Sequence, residues 1–217
     1  EKDETIAVLR TLQQEMSTSI IISDLSTQLH LERRYTFSYL NGNQTPEKLA
    51  IQQGKTDATV GVLQKDLAGH FENFSGYTLL SQLDSVRTLA SRRTIVPAQA
   101  MLYYSTLLMR LNNMSASSAE SAPYLKAVGP VISGHRILSQ IANNLGQVRA
   151  LVYTALLKKE LSQQDLFSIE NIYSTIASQE RELQAKATDQ VHQELIKASR
   201  TEAGVYTNRG IRNIIRN

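Results

Sequence analysis

A stripe of apolar positions interrupted by a few polar ones recurs along the opening stretch of the chain at alternating steps of four and three. Ile22, Leu29 and Thr36 form one row, and Ser26, Arg33 and Leu40 the row beside it. This is the spacing of a helix stripe packed against other helices. It predicts one helix from Glu4 to Leu40, roughly 55 Å long at about 1.5 Å per residue. Asn41-Gly42-Asn43-Gln44 ends it, with Gly42 suited to a left-handed C-cap.

Thr45 then caps a second helix, with Pro46 at its first position and Glu47 near its positive end. It runs to about Leu67 with Leu49, Thr56, Val60 and Leu63 inward, and Gly54 and Gly61 either weaken it or mark a close helix contact. A turn from His70 to Gly76 leads to a third helix, Tyr77 to Ser91, with Leu79, Leu80, Leu83, Val86, Leu89 and Ala90 on its apolar side. Pro97 opens a fourth through Met114 on Met101, Tyr104, Leu107, Leu108 and Leu111, and Ser115 to Ala122 reads as a connector. A fifth helix spans Pro123 to Lys159, kinked or interrupted at Pro130. Ser162-Gln163-Gln164-Asp165 resembles a capping box with Asp in the Glu position. It starts a sixth helix through about Ala185, carrying Leu166, Ile169, Ile172, Ile176 and Leu183. Asp189 to Ile215 is a further helical region with a break near Gly204. The expected fold is all-α, with up-and-down antiparallel helical bundles and long shared helices, in a single domain over residues 1–217.

Charge changes this picture at two places. Arg33 falls on the buried stripe between Leu29, Thr36 and Leu40. A guanidinium does not give up its proton, so burying it is costly unless an anion or several acceptors meet it. Arg149 interrupts a similar row, Leu138, Ala142, Leu145, Arg149, Val152 and Leu156, with Gly146 one turn earlier. A second, wholly apolar row on that helix (Ile141, Leu145, Val148, Val152, Ala155) puts Arg149 at the edge of the stripe instead. Either arginine alternatively snorkels to solvent or pairs with a carboxylate such as Glu32 or Asp57.

Composition narrows the function classes. The 217 residues contain 41% apolar and 20% charged positions, with only 4 Pro and 10 Gly, which favours helix over a loop-rich β fold. A net charge of +3, scattered along the chain, does not argue for nucleic acid. There is no Cys, which removes disulfides and thiolate chemistry and fits an extracytoplasmic bacterial domain. His30, His70, His135 and His192 are not spaced as metal ligands, no Gly-rich phosphate loop follows a strand, and no nucleophile–base pair is visible. Neither metal, cofactor nor catalysis is therefore expected. No apolar run approaches the ~18–20 residues that span a bilayer. Both ends read as cut from a longer chain, so membrane-spanning segments of the parent are expected to flank this piece.

Several segments together resemble the nitrate- and nitrite-sensing (NIT) domain family. Its helix motif Leu-Gln-x-Glu-Arg-Gly-x-Ser-x-x-Tyr/Phe-Leu is matched by Leu29, Glu32, Arg33, Tyr39 and Leu40, with Thr36 for Ser. Thr56-Asp57 is similar to a Thr-Asp pair on the next helix, Leu83 to Arg87 to a Leu-x-x-x-Arg segment, and Ala100 to Ser105 to a Tyr-rich helix. Gly146-Gln147-Val148-Arg149-Ala150 and Leu161-Ser162 resemble the second signature, Gly-x-Glu-Arg-Ala and its Leu-Ser connector. The likeness covers about Leu25 to Leu183. Val148 stands for the family's Glu, Arg34 for its Gly, and Gln53 for a frequent Arg.

The resemblance implies a sensor domain of a bacterial signalling protein. Nitrate or nitrite would bind between helices through Arg33 and Arg149, with the Thr36 hydroxyl as a further donor and Asp57 as a structural partner of an arginine. A helix rearrangement would pass the signal to an effector such as a chemotaxis receptor, kinase, cyclic-nucleotide enzyme or RNA-binding antiterminator. A homodimeric parent, placed with this piece outside the inner membrane or else in the cytoplasm, would fit. A helical interaction or dimerisation module without a small ligand, and a sensor of another small anion, are the alternatives.

Overall fold

The computed structural model describes residues 2–120, 129–186 and 189–201, with 205, 209–210 and 213. Among these the secondary structure is helical throughout, without strands. The order is α1 (Lys2–Leu40), α2 (Pro46–Asp66), a short 3-10 turn (Phe71–Asn73), α3 (Tyr77–Leu80), α4 (Leu83–Ser91), α5 (Pro97–Glu120), α6 (Gly129–Lys158), α7 (Gln163–Lys186) and α8 (Asp189–Arg200). The all-α bundle architecture agrees with the sequence pattern. The chain divides into two compact units, Glu1–Ser118 and Ala119–Asn217.

In the first unit α1 ends as its sequence dictates. Gly42 adopts φ +77°, the Asn43 amide donates to the Ser38 carbonyl at 2.8 Å and the Gly42 amide to Tyr39 at 3.0 Å. That is the doubly bonded cap that glycine permits without a Cβ penalty. Pro46 then starts α2, which runs antiparallel to α1. Gln52 Nε2 donates to the Gln28 side chain at 3.0 Å, and Asp66 accepts from Gln14, Ser17 and Thr18 farther along. Both stripe rows of α1 are buried as expected at Ile22, Ser26, Leu29, Arg33 and Thr36. They pack with Leu63 of α2, Leu80, Leu83 and Val86 of α3 and α4, and Tyr104, Leu107, Leu108 and Leu111 of α5.

Four expectations change here. The helix predicted from Tyr77 to Ser91 is broken into α3 and α4 at Ser81 and Gln82, where the Ser81 hydroxyl donates back to the Thr78 carbonyl at 2.9 Å. Leu89, placed on the apolar side, is 43% exposed, because the buried face of α4 runs through Leu83, Val86 and Ala90 and leaves it at the edge. Gly54 and Gly61 are not points of close contact: a Cβ at either would meet nothing within 4 Å. Ser115 to Glu120 continue α5 rather than forming a connector, while 121–128 lie outside the described residues.

In the second unit α6 and α7 form an antiparallel pair around Ile137, Ile141, Ile176 and Leu183, with Val148 and Ile169 nearer the turn. Asn144 Nδ2 donates to Gln179 Oε1 at 3.0 Å, and Arg136 lies 3.7 Å from Glu182. Pro130 occupies the first turn of α6, where its missing N–H costs nothing, so it neither kinks nor interrupts the described helix. Of the predicted start, 123–128 lie outside the described residues. Half of the capping box forms: the Asp165 amide donates to Ser162 Oγ at 3.1 Å, while Asp165 Oδ2 accepts from the Ser162 hydroxyl at 2.6 Å rather than from the Ser162 backbone amide.

Candidate functional site

Glu32 and Arg33 are adjacent on α1, and both are buried, at 0% and 3% exposure. Neighbouring side chains leave an α-helix about 100° apart, so the two serve different sides of the stripe.

Glu32 is met by Arg87 of α4. The guanidinium donates from Nε to Glu32 Oε1 at 2.8 Å and from Nη2 to Oε2 at 3.0 Å, the two-pronged arrangement that matches a planar carboxylate. Nη1 of Arg87 also reaches Asp57 of α2 at 2.6 Å and Asp84 at 3.1 Å, and Nη2 the Gln53 carbonyl at 3.3 Å. Tyr104 of α5 donates its hydroxyl to Glu32 Oε1 at 2.8 Å. One carboxylate on α1 thus ties together α2, α4 and α5. Burial alone would lower the Arg87 pKa. The bonds and charge of Glu32, then of Asp57, more than reverse this and hold it above its usual value. The Tyr104 phenol is pushed well above its ordinary range, by burial first and by the Glu32 charge second. Tyr103, whose hydroxyl donates to the Leu79 carbonyl at 2.7 Å, is raised for the same reasons.

Arg33 turns toward α5 and back along its own helix. Nη1 donates to Ser105 Oγ at 3.1 Å, and Nη2 lies 3.2 Å from His30 Nδ1. The two carboxylates that the sequence offered for pairing with Arg33, Glu32 and Asp57, are both engaged by Arg87. Thr36 is 1% exposed, and its hydroxyl donates to the Tyr104 oxygen over a long 3.4 Å.

The predicted site residues are therefore distributed as follows. Arg33, Thr36 and Asp57 lie in the first unit, the first two on α1 and Asp57 on α2, where its carboxylate accepts from Arg87. Arg149 lies on α6 of the second unit, beside buried Val148 but itself exposed. It occupies the edge of the stripe, because the buried face of α6 follows Ile137, Ile141 and Val148. Ala142, Leu145 and Leu156 of the row first assigned to it are exposed as well. Sequence reasoning missed Arg87 as a structural centre and Tyr104, Ser105 and His30 as neighbours of the Glu32–Arg33 pair. An i,i+4 leucine–arginine spacing and a pair of tyrosines were the only traces. No group of His, Asp and Glu among the described residues could hold a metal, and no described helix is long and apolar enough to cross a membrane.

Comparison with known families matches residues 24–212 to nitrate and nitrite sensing domains. The chain belongs to the NIT family. It is a nitrate- and nitrite-sensing type of input domain from a signalling protein, in a family defined by sensing rather than catalysis. The match extends past both ends of the segment in which the NIT motifs were found, reaching beyond α8. No curated protein and no solved structure matches the chain.

Proposed function

We propose that this NIT domain is the ligand-binding part of a bacterial receptor and that it takes up nitrate or nitrite at the Arg33 guanidinium. The observation that carries this reading is a guanidinium buried to 3% exposure on α1, with the Ser105 hydroxyl and the His30 ring among its neighbours, at the arginine of the helix motif shared with the NIT family. Nitrate is planar, singly charged and weakly hydrated. A guanidinium is planar too and donates two parallel hydrogen bonds to two of its oxygens. At a buried site the contact is stronger than in water. Thr36 is a candidate further donor, since its 3.4 Å bond to Tyr104 is weak enough to exchange for an anion oxygen. Arg149 is the second cationic candidate, supported by its place in the second family signature.

In this reading the anion favours one of two helix arrangements, and the change leaves along α1 and the C-terminal helices to the effector. A ligand shifts such an equilibrium only by its differential affinity, so a tens-fold response needs about 2–3 kcal/mol. A homodimeric receptor with this domain on the periplasmic side of the inner membrane is the arrangement we infer for the parent.

The test is calorimetric titration of the purified chain with nitrate, nitrite, chloride and acetate, alongside Arg33→Ala and Arg149→Ala. Saturable nitrate or nitrite binding that vanishes in Arg33→Ala is the expected result. Loss in Arg149→Ala would give that residue a share of the site, and unchanged binding would remove it. A folded wild-type chain that binds none of these anions at millimolar concentration would refute sensing. It would leave an interaction or dimerisation module.

A further inference from the structure

The seam between α1 and α5 carries more buried polar groups than packing requires. Ser26 and Arg33 on α1 are 2% and 3% exposed, and Ser105 and Asn112 on α5 are 7% and 5% exposed. Each pair is separated by seven residues, about two helical turns. The two helices run in opposite directions. α4 follows α1 in parallel, as Arg87–Glu32 and Ser91–Tyr39 show. α5 runs back against α3 and the segment before it, as Tyr103–Leu79 and Arg110–Ser75 show. With Arg33 against Ser105, this register sets Ser26 at the level of Asn112.

Side chains on a helix lean toward its N-terminus. Arg33 does so, since its Nη2 reaches His30 one turn earlier. On antiparallel helices Arg33 therefore leans toward the Ser26 level and Asn112 toward the Ser105 level. About one turn, roughly 5.4 Å, separates the guanidinium from Ser26. Two hydrogen bonds of about 2.9 Å each, made to one anion, cover that interval.

The hydroxyls point the same way. Thr27, Thr56 and Thr59 each donate to the carbonyl four residues earlier, the usual local solution for a helical hydroxyl. Ser26 does not: its Oγ is buried and meets no hydrogen-bond partner. Ser105 Oγ accepts from Arg33, which leaves its own proton to donate.

We propose that the anion cradle extends from Arg33 along this seam, with Ser26, Ser105 and Asn112 as neutral donors that select a planar oxoanion over a halide. This rests on the reading that Arg33 receives the anion. The guanidinium supplies the charge and fixes one edge of the ion. The hydroxyls and the carboxamide reach its remaining oxygens in directions that a spherical ion gains nothing from. Neutral donors suit a weakly hydrated anion, because they add hydrogen bonds without adding buried charge.

The decisive variant is Ser26→Ala in the whole chain, titrated with sodium nitrate, sodium nitrite and sodium chloride, with the melting temperature read alongside. Removing a buried hydroxyl that bonds to no protein group should leave the melting temperature unchanged or raise it. The nitrate Kd should rise about tenfold, the worth of one hydrogen bond to a charged acceptor, and nitrate-over-chloride preference should fall by a similar factor. Asn112→Leu should show the same loss of preference. If both variants are folded and bind nitrate with wild-type affinity and preference while Arg33→Ala binds none, the cradle is refuted and the arginine reading stands. If Arg33→Ala binds nitrate as well as the wild type, both fall.

Discussion

Replacing Glu32 by leucine should destabilise the first unit less than replacing its partner Arg87 by methionine, and replacing both should cost less than either alone. Removing one partner of a buried ion pair costs about 3–5 kcal/mol, mostly by leaving the other charge buried and unpaired. Once Glu32 is gone, Arg87 keeps Asp57 at 2.6 Å, Asp84 at 3.1 Å and the Gln53 carbonyl at 3.3 Å, so Glu32→Leu belongs near the lower end, about 3 kcal/mol. Once Arg87 is gone, Glu32 keeps only the Tyr104 hydroxyl at 2.8 Å in a fully buried position, so Arg87→Met belongs near the upper end, about 5 kcal/mol. The double variant leaves no uncompensated charge. Its main residual cost is the Tyr104 hydroxyl without its acceptor, about 1–3 kcal/mol. Urea denaturation followed by circular dichroism at 222 nm on the four proteins of this cycle measures the coupling directly. Additive single losses, or a Glu32→Leu loss below about 1 kcal/mol, would refute the assignment of Arg87 and Glu32 as one buried unit.

Tyr104 makes a pH prediction. Its folded pKa is raised, so its contribution is fully present below the unfolded value near 10 and is lost as pH climbs above it. Stability should therefore fall on the alkaline side above about pH 10, and Tyr104→Phe should flatten that fall in chemical denaturation series. Gly61→Ala should stabilise α2 by about 0.5–1 kcal/mol in thermal melts, since the new methyl meets nothing and the helix loses a flexible residue. Gly76→Ala should do the reverse by about 1–3 kcal/mol, because its Cβ would lie 2.5 Å from the ring of buried Phe74 and 3.2 Å from Leu111. Ser162→Ala removes the capping hydroxyl of α7 and should cost about 1 kcal/mol, read as loss of helix protection in hydrogen exchange at its first turn.

What the sequence disclosed follows from how far each signal reaches along the chain. The α1 stripe was legible because it repeats locally: five of its six row positions are buried, Arg33 among them, and Leu40 is partly so. The end of α1 and the start of α7 were legible because Gly42 and Ser162 act on their immediate neighbours. The Glu32–Arg87 pair was not, since an ion pair across 55 residues leaves no periodic trace. The break between α3 and α4 was hidden because Leu79, Leu80, Leu83 and Val86 read as one continuous apolar side. Arg149 shows the limit of phase: two overlapping rows shared Leu145 and Val152, and only packing against α7 chose the face through Val148. Serine and alanine at the end of α5 are compatible with both helix and loop, and the helix continued.

Glu32 and Arg33 also decide how α1 is able to move. Turning the helix in its socket by about 20° would sweep side-chain ends, some 5–6 Å from the axis, by about 2 Å. That would pull Glu32 off Arg87 and Tyr104 together. α1 is thus a poor axle. It makes a better lever, because Lys2 lies 31 residues before Arg33 on the same helix, about 46 Å at 1.5 Å per residue. A tilt of about 5° pivoting at Arg33 carries that far end about 4 Å sideways. The same tilt displaces Ser26, about 10 Å from the pivot, by only about 0.9 Å, so the length of the helix does the magnifying.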